Sequence, residues 1–151
     1  MAIFNEIRLK TGPLFSISVK LNAADFMQDG LTLDESTLVT QMLESQGVDL
    51  IEISGGNYEN PILFHGKHSS RKREAYFLDM AQTIRSKTST PIVVTGGFRT
   101  FDAMNKALHD NACDFIGVAR PMTLFPHLPK QMFKGNLTDC SFENPTTGIK
   151  L

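Results

Sequence analysis

Two glycine-bearing stretches, each followed by an arginine, are the residues of this chain best suited to holding an anion: Thr95-Gly96-Gly97-Phe98-Arg99 and Gly117-Val118-Ala119-Arg120-Pro121. Glycine lets backbone N–H groups approach an anion closely, a helix N-terminus adds partial positive charge, and arginine adds a forked donor. The same glycines also suit plain turns or tight packing, and the residues alone leave both readings open. Lys20 ends the apolar run Phe15–Leu21, where a charge is costly unless paired. Either its ammonium meets an anionic or electron-rich ligand edge, or it has already left the strand and reaches to water. Ser54-Gly55-Gly56 closes another apolar run; it lines a pocket floor with backbone donors or simply turns the chain.

Other polar groups carry less. His65 and His68 stand three apart, without the further ligands a metal site needs, so no metal is expected. Lys67, His68, Arg71, Lys72 and Arg73 cluster, but without interleaved aromatics and a basic net charge they read as a solvated helix start rather than a nucleic-acid surface. Asp25, Asp29, Asp34 and Glu35 suit caps and turns. With 15 Lys+Arg against 16 Asp+Glu, the net charge is -1, which gives no bulk reason to bind nucleic acid or an anionic membrane. Cys113 and Cys140 lack a paired spacing and are expected as free thiols in the cytoplasm. Neither a signal-peptide start nor an apolar run of membrane-spanning length is evident.

Four short apolar runs can position these groups. They lie near residues 15–21, 49–53, 91–95 and 114–118, each rich in Ile, Val or Phe and each ending in small or polar residues, as buried strands do. Between them run helical patterns near 33–46, 71–86 and 101–109. The first opens on a capping box, Thr32 to Glu35, carries a stripe of Leu38, Val39, Met42 and Leu43, and stops at Gly47. The second places Phe77, Leu78, Ala81 and Ile84 on one face; the third starts at a Thr100 cap, buries Phe101, Met104, Ala107 and Leu108, and stops near Asn111. Strands alternating with helices imply crossovers and a parallel α/β sheet, with ligands at the C-terminal strand ends. Asp49-Leu50-Ile51-x-Ile53 echoes Asp114-Phe115-Ile116-x-Val118, a faint internal repeat that fits either a barrel or a doubly wound sheet.

Five motifs then occur in order: Ser18-Val19-Lys20-Leu21-Asn22-Ala23-Ala24-Asp25-Phe26, Gly47-Val48-Asp49-Leu50-Ile51-Glu52-Ile53-Ser54-Gly55-Gly56, Arg73-Glu74-Ala75-Tyr76-Phe77, Val94-Thr95-Gly96-Gly97-Phe98-Arg99-Thr100 and Gly117-Val118-Ala119-Arg120-Pro121. Each is weak alone; together they resemble the C-terminal half of the old yellow enzyme family, in its NADH:flavin oxidoreductase and NADH oxidase-like branch. The resemblance implies an α/β fold, a partial TIM (β/α)8 barrel holding strands five to eight in residues 1–135, with 136–151 as an extended tail. It implies FMN as cofactor and NADH or NADPH as reductant, with hydride passing through the flavin to an activated alkene or similar acceptor. Lys20 matches the basic residue beside the pyrimidine edge of the flavin. Gly96, Gly97 and Phe98 match the phosphate loop after strand seven, and Gly117, Ala119 and Arg120 the phosphate and ribityl contacts after strand eight. Ser54, Gly55 and Gly56 match the strand-six end near the cofactor.

A complete barrel takes roughly 250 residues, and the resemblance places the start of this chain in the helix before strand five. The family's substrate-orienting pair and tyrosine proton donor belong to the earlier strands, so no residue here inherits a catalytic role; Tyr58, Tyr76, His65 and His68 do not replace them. Four strands leave two sheet edges and their inward side chains open, with those alternating along Phe15–Leu21 and Ile92–Val94 expected to be exposed. The expected partners are a small-molecule substrate and either a second copy or a complementing N-terminal barrel half. A truncated half-barrel that at most binds FMN or a phosphate is the alternative.

Overall fold

A computed structural model describes residues 2–56 and 74–141. Tyr58, His65, Lys67, His68, Arg71, Lys72 and Arg73 lie outside the described residues. The elements in chain order are α1 (Ala2–Thr11), β1 (Ser18–Asn22), α2 (Leu33–Ser45), β2 (Leu50–Ser54), α3 (Leu78–Arg85), β3 (Ile92–Thr95), α4 (Phe101–His109), β4 (Phe115–Gly117), α5 (Arg120–Leu124) and α6 (Leu128–Phe133). The strands form one sheet in the order β1-β2-β3-β4, and every neighbouring pair is parallel. This is the expected alternation, with each strand close to its expected place.

Register separates the two faces of the sheet. Leu21, Ile53, Val94 and Ile116 form one row. Ile51, Ile53, Ile92 and Val94 are wholly buried, in one core with Ala81 and Ile84 of α3 and Met104 and Ala107 of α4. Each buried Ile, Val or Met side chain among them contributes about 1.5–3 kcal/mol relative to exposure. The alternate row, Lys20, Glu52, Val93 and Phe115, faces the other way, and Phe115 is 54% exposed. Of Ile92–Val94, therefore, only Val93 is on the open face; Ile92 and Val94 belong to the helix-covered core.

The faint sequence repeat is a repeated structural joint. Asp49 accepts from the Ile17 N–H at 2.8 Å and pairs with Arg8 of α1 at 2.7 Å. Asp114 accepts from the Ile92 N–H at 2.8 Å and pairs with Arg85 of α3 at 2.7 Å. In each case the aspartate's own N–H returns a bond to the carbonyl of the residue it caps, at 3.0 and 2.9 Å. Each joint ties a helix to the strand after it and to the next strand across. The Ile17 N–H and the Arg8 guanidinium hold the Asp49 carboxyl below its usual range. Arg8 also donates to the Phe15 carbonyl; β1 begins only at Ser18, and Phe15 before it is 55% exposed.

Three helix readings are refined. The Thr32–Glu35 capping box forms, with the Thr32 N–H to Glu35 at 2.9 Å, and Gly47 stops the chain at φ +78°. Yet α2 buries Ser36, Thr40 and Leu43, leaving Leu38 and Met42 more than half exposed. The small Ser36 draws the helix inward by donating to the Ala23 carbonyl at 2.8 Å. In α4, Met104 and Ala107 are buried while Leu108 is 41% exposed. Asn111 ends the turn after α4 in the left-handed region, φ +54°. The α3 helix starts at Leu78 rather than near Arg71; within the described part, Glu74–Phe77 is irregular and Ala75 is left-handed at φ +52°. Cys113 and Cys140 are free and buried, and burial pushes the Cys113 thiol up to about 11, far from thiolate reactivity.

Candidate functional site at the strand ends

The C-terminal ends of the four strands bring Asn22, Ser54, Thr95 and Gly117 into one register row. The Ser54 hydroxyl donates to Asn22 Oδ1 at 3.2 Å, and Asn22 Nδ2 donates to Asp25 at 2.9 Å and to the Gly56 carbonyl at 3.0 Å. That amide, with the Leu31 N–H, lowers the Asp25 carboxyl from its usual range. Two residues earlier on the same face, Lys20 Nζ meets Glu52 Oε1 at 2.7 Å, with the two side chains 58% and 30% exposed. Lys20 thus remains inside β1, on the open face, its charge paired across the strands. Burial tends to raise the Glu52 carboxyl, but hydrogen bonds from Lys20 and Thr95 outweigh it and leave it lowered.

The glycines at these ends have identifiable packing reasons. A Cβ at Gly55 would lie 2.6 Å from the Phe77 ring, and one at Gly96 2.9 Å from it. Gly97, at φ +83°, sits under the Tyr76 ring, 2.9 Å from where its Cβ would be. Gly117 faces Thr95, whose Oγ1 would be 1.8 Å from an added Cβ. Phe98 is 3% exposed and belongs to the core, so its backbone is what the strand-end surface receives. Ala119 caps α5 without a side-chain bond. Arg120 opens that helix, exposed, its side chain without hydrogen bond or ion pair among the described residues.

The start of α4 is already satisfied from within the chain. Glu74 Oε2 accepts from the Arg99 and Thr100 N–H groups, both at 3.1 Å, and from the Thr100 hydroxyl at 3.2 Å, while Thr100 caps the Ala103 N–H at 3.2 Å. A carboxylate at a helix N-terminus is favourable. Arg99 donates to the Tyr76 hydroxyl at 2.8 Å. Glu52, Asn22, Thr95 and Glu74 lie in the sequence motifs, but sequence reasoning gave none of them a role of its own. Glu52 had a signal, a lone acid within the apolar run Leu50–Ile53; Glu74 had none, because its partners stand 25 and 26 positions away. A depression of about 510 Å³, lined by Asp29, Gly30, Leu31, Glu35, Leu38 and Val39, contains none of these residues. No group of metal-ligating side chains occurs among the described residues.

Around the strand ends therefore stand Lys20, within β1 and paired with Glu52, Arg99, bonded to Tyr76, and Arg120 beyond β4, with glycine-rich backbone between them. That donor set suits a ligand with an anionic group and an electron-rich edge. No family model matches the chain. It is 37% identical over 145 residues to the NADH-dependent flavin oxidoreductase iliE of Hypocrea jecorina (strain QM6a), covering 91% of this chain and 36% of that protein. Relatives of the old yellow enzyme family thus cover most of this chain. To the NADH oxidase of Thermoanaerobacter brockii it is 28% identical over 136 residues, covering 89% of this chain and 20% of that one. This old yellow enzyme homologue thus spans between about a fifth and about a third of the length of these relatives. A solved 2-naphthoyl-CoA reductase matches its fold with a TM-score of 0.80 at 24% identity, over 91% of this chain and 21% of that one. The sheet and its helices are a partial TIM barrel. No described helix is long and apolar enough to cross a membrane.

Proposed function

We propose that this chain is the phosphate-anchoring part of a cytoplasmic, FMN-dependent NAD(P)H oxidoreductase whose acceptor is an activated alkene or a similar electron-poor substrate. The observation that carries this reading is the 37% identity, over 91% of the chain, to an NADH-dependent flavin oxidoreductase. The donor set fits the cofactor. The exposed Arg120 guanidinium, with the backbone of Gly96, Gly97, Gly117 and Ala119, is suited to the phosphate. Ser54 and Gly55 line the floor, and Phe98 adds its backbone. Lys20 presents its ammonium to the pyrimidine edge. When bound, FMN supplies hydride transfer between the nicotinamide and the acceptor; this chain's residues bind, orient and bias it electrostatically.

The two cations have separable roles. Arg120→Ala is expected to weaken FMN binding by about 1.5–3 kcal/mol, the scale of a charge-assisted hydrogen bond. Lys20→Met is expected to leave the phosphate anchored and to lower the reduction potential of the bound flavin, because a positive charge near the ring favours the reduced form. Flavin titration followed by spectroelectrochemistry reads both. An Arg120→Ala variant that binds as tightly as the parent removes Arg120 from the site, and an unchanged potential in Lys20→Met removes Lys20.

The open face of the sheet belongs to the same proposal. Phe115, on that face, is 54% exposed, and Phe15, just before β1, is 55% exposed, apolar surface suited to a covering partner. We assign its cover to a complementing N-terminal barrel half or to a second copy of the chain. Light scattering of the purified chain is expected to show a dimer or larger species, with enone reduction only when a complementing half is added. A monodisperse monomer that turns over an enone with NADH overturns this. The same exposed face favours the second reading, a module that binds flavin or phosphate without turnover; a yellow, flavin-loaded but inactive complemented protein decides for it.

A further inference from the structure

The turn that follows β3 is shaped from outside itself. Residues Glu74–Phe77 touch it at successive points: the Tyr76 N–H donates to the Gly96 carbonyl at 3.1 Å, and the Tyr76 ring covers Gly97. The Arg99 side chain reaches the Tyr76 hydroxyl at 2.8 Å. Glu74 takes the Arg99 and Thr100 N–H groups at 3.1 Å each. A second element grips the far side. The Phe101 N–H donates to the Thr138 carbonyl at 2.8 Å, the Cys140 N–H to the Arg99 carbonyl at 2.9 Å, and Thr100 bridges Asp139. Two consecutive backbone donors are thus held by one carboxylate, and the adjoining carbonyl and N–H by the segment around Asp139.

We propose that Glu74 is a positioning residue for anion binding at the β3 end: its carboxylate fixes the Gly96–Thr100 turn in the shape that receives a phosphate, without touching the ligand. The proposal rests on the assignment of Gly96 and Gly97 to the phosphate made under Proposed function. Gly96 and Gly97 both have positive φ, +131° and +83°, conformations that glycine visits freely and leaves as freely. Such a turn keeps one shape only if its neighbours impose it, and a carboxylate accepting two backbone N–H groups supplies charge-assisted bonds, which are stronger than neutral ones. The same carboxylate occupies the start of α4, so a ligand phosphate is directed to the glycines rather than to that helix end.

The test compares the parent chain with Glu74→Ala and Glu74→Gln by amide hydrogen exchange and by titration with inorganic phosphate, followed by NMR at Gly96, Gly97 and Gly117. In Glu74→Ala the Arg99 and Thr100 amides are expected to exchange about tenfold to a hundredfold faster, the scale of one lost charge-assisted hydrogen bond, with Ile53 and Val94 in the sheet unchanged. Phosphate is expected to bind about tenfold more weakly, because a turn ordered only on binding pays that ordering from its affinity. Faster exchange with unchanged phosphate affinity makes Glu74 a helix cap only and overturns the proposal, as does unchanged exchange. A parent that binds no phosphate at these glycines refutes the site assignment itself, whereas a parent that binds and a Glu74→Ala variant that binds equally refute only the role of Glu74. Should Glu74→Ala fail to fold, Glu74→Gln, which keeps an acceptor oxygen and loses the charge, carries the same two measurements.

Discussion

Phe77→Ala is expected to destabilise the chain by about 3–5 kcal/mol, the usual loss when a buried phenylalanine is truncated. Phe77 is 2% exposed. Its ring stacks on Phe26 at 6.2 Å between centroids and meets Tyr76 edge-on at 6.4 Å. It also fills the space that Gly55 and Gly96 leave by having no side chain. Truncation therefore removes apolar burial and opens a void directly under the ends of β2 and β3. A loss of that size is a large share of the stability of a domain of this length. Urea unfolding of parent and variant measures it. A loss below about 1 kcal/mol, the centre of the distribution for all point substitutions, means that the ring is not the support of these glycines.

Gly117→Ala is expected to cost about 1–3 kcal/mol, the range for overpacking a filled site. Its backbone is not in the left-handed region, so space alone decides. An added Cβ would stand 1.8 Å from Thr95 Oγ1, 2.8 Å from Thr95 Cβ and 3.2 Å from its Cα. Rotating Thr95 relieves the first contact but not the others. The β3–β4 pairing has to shift. The same substitution in a Thr95→Gly background is expected to cost markedly less, a non-additivity that double-mutant unfolding measures. Equal losses in both backgrounds place the strain elsewhere.

Much of the architecture was legible because it depends on neighbours in sequence. The Thr32–Glu35 box spans three residues, Gly47 and Asn111 act on their own φ, and the four apolar runs carry strand preference locally. The motif order pointed correctly to the family. Two short helices after β4, at Arg120–Leu124 and Leu128–Phe133, were not legible. Five and six residues, with a proline in the first turn of each, are too few for a periodic pattern to develop. Leu38 and Met42 were misplaced for a different reason: the stripe was read as apolar, but Ser36 and Thr40 are the residues that fit against the sheet.

The candidate site divides along the same line. Residue type alone marked Lys20, Arg120 and the glycines as able to meet an anion, because charge and backbone freedom are properties of single residues. What each of them does in the fold was decided by residues far away in sequence. Lys20 is paired because parallel register sets it beside Glu52, 32 positions on. Gly55 and Gly96 are required because one ring, Phe77, lies against both. The turn after β3 has its shape because Glu74 and the segment around Asp139 close on it from opposite sides. Hydrogen bonds and steric contacts act over a few ångströms in space, whatever the separation along the chain. The sequence by itself therefore determined which groups could do the chemistry, and only the tertiary structure decided which of them are held, buried or left open to do it.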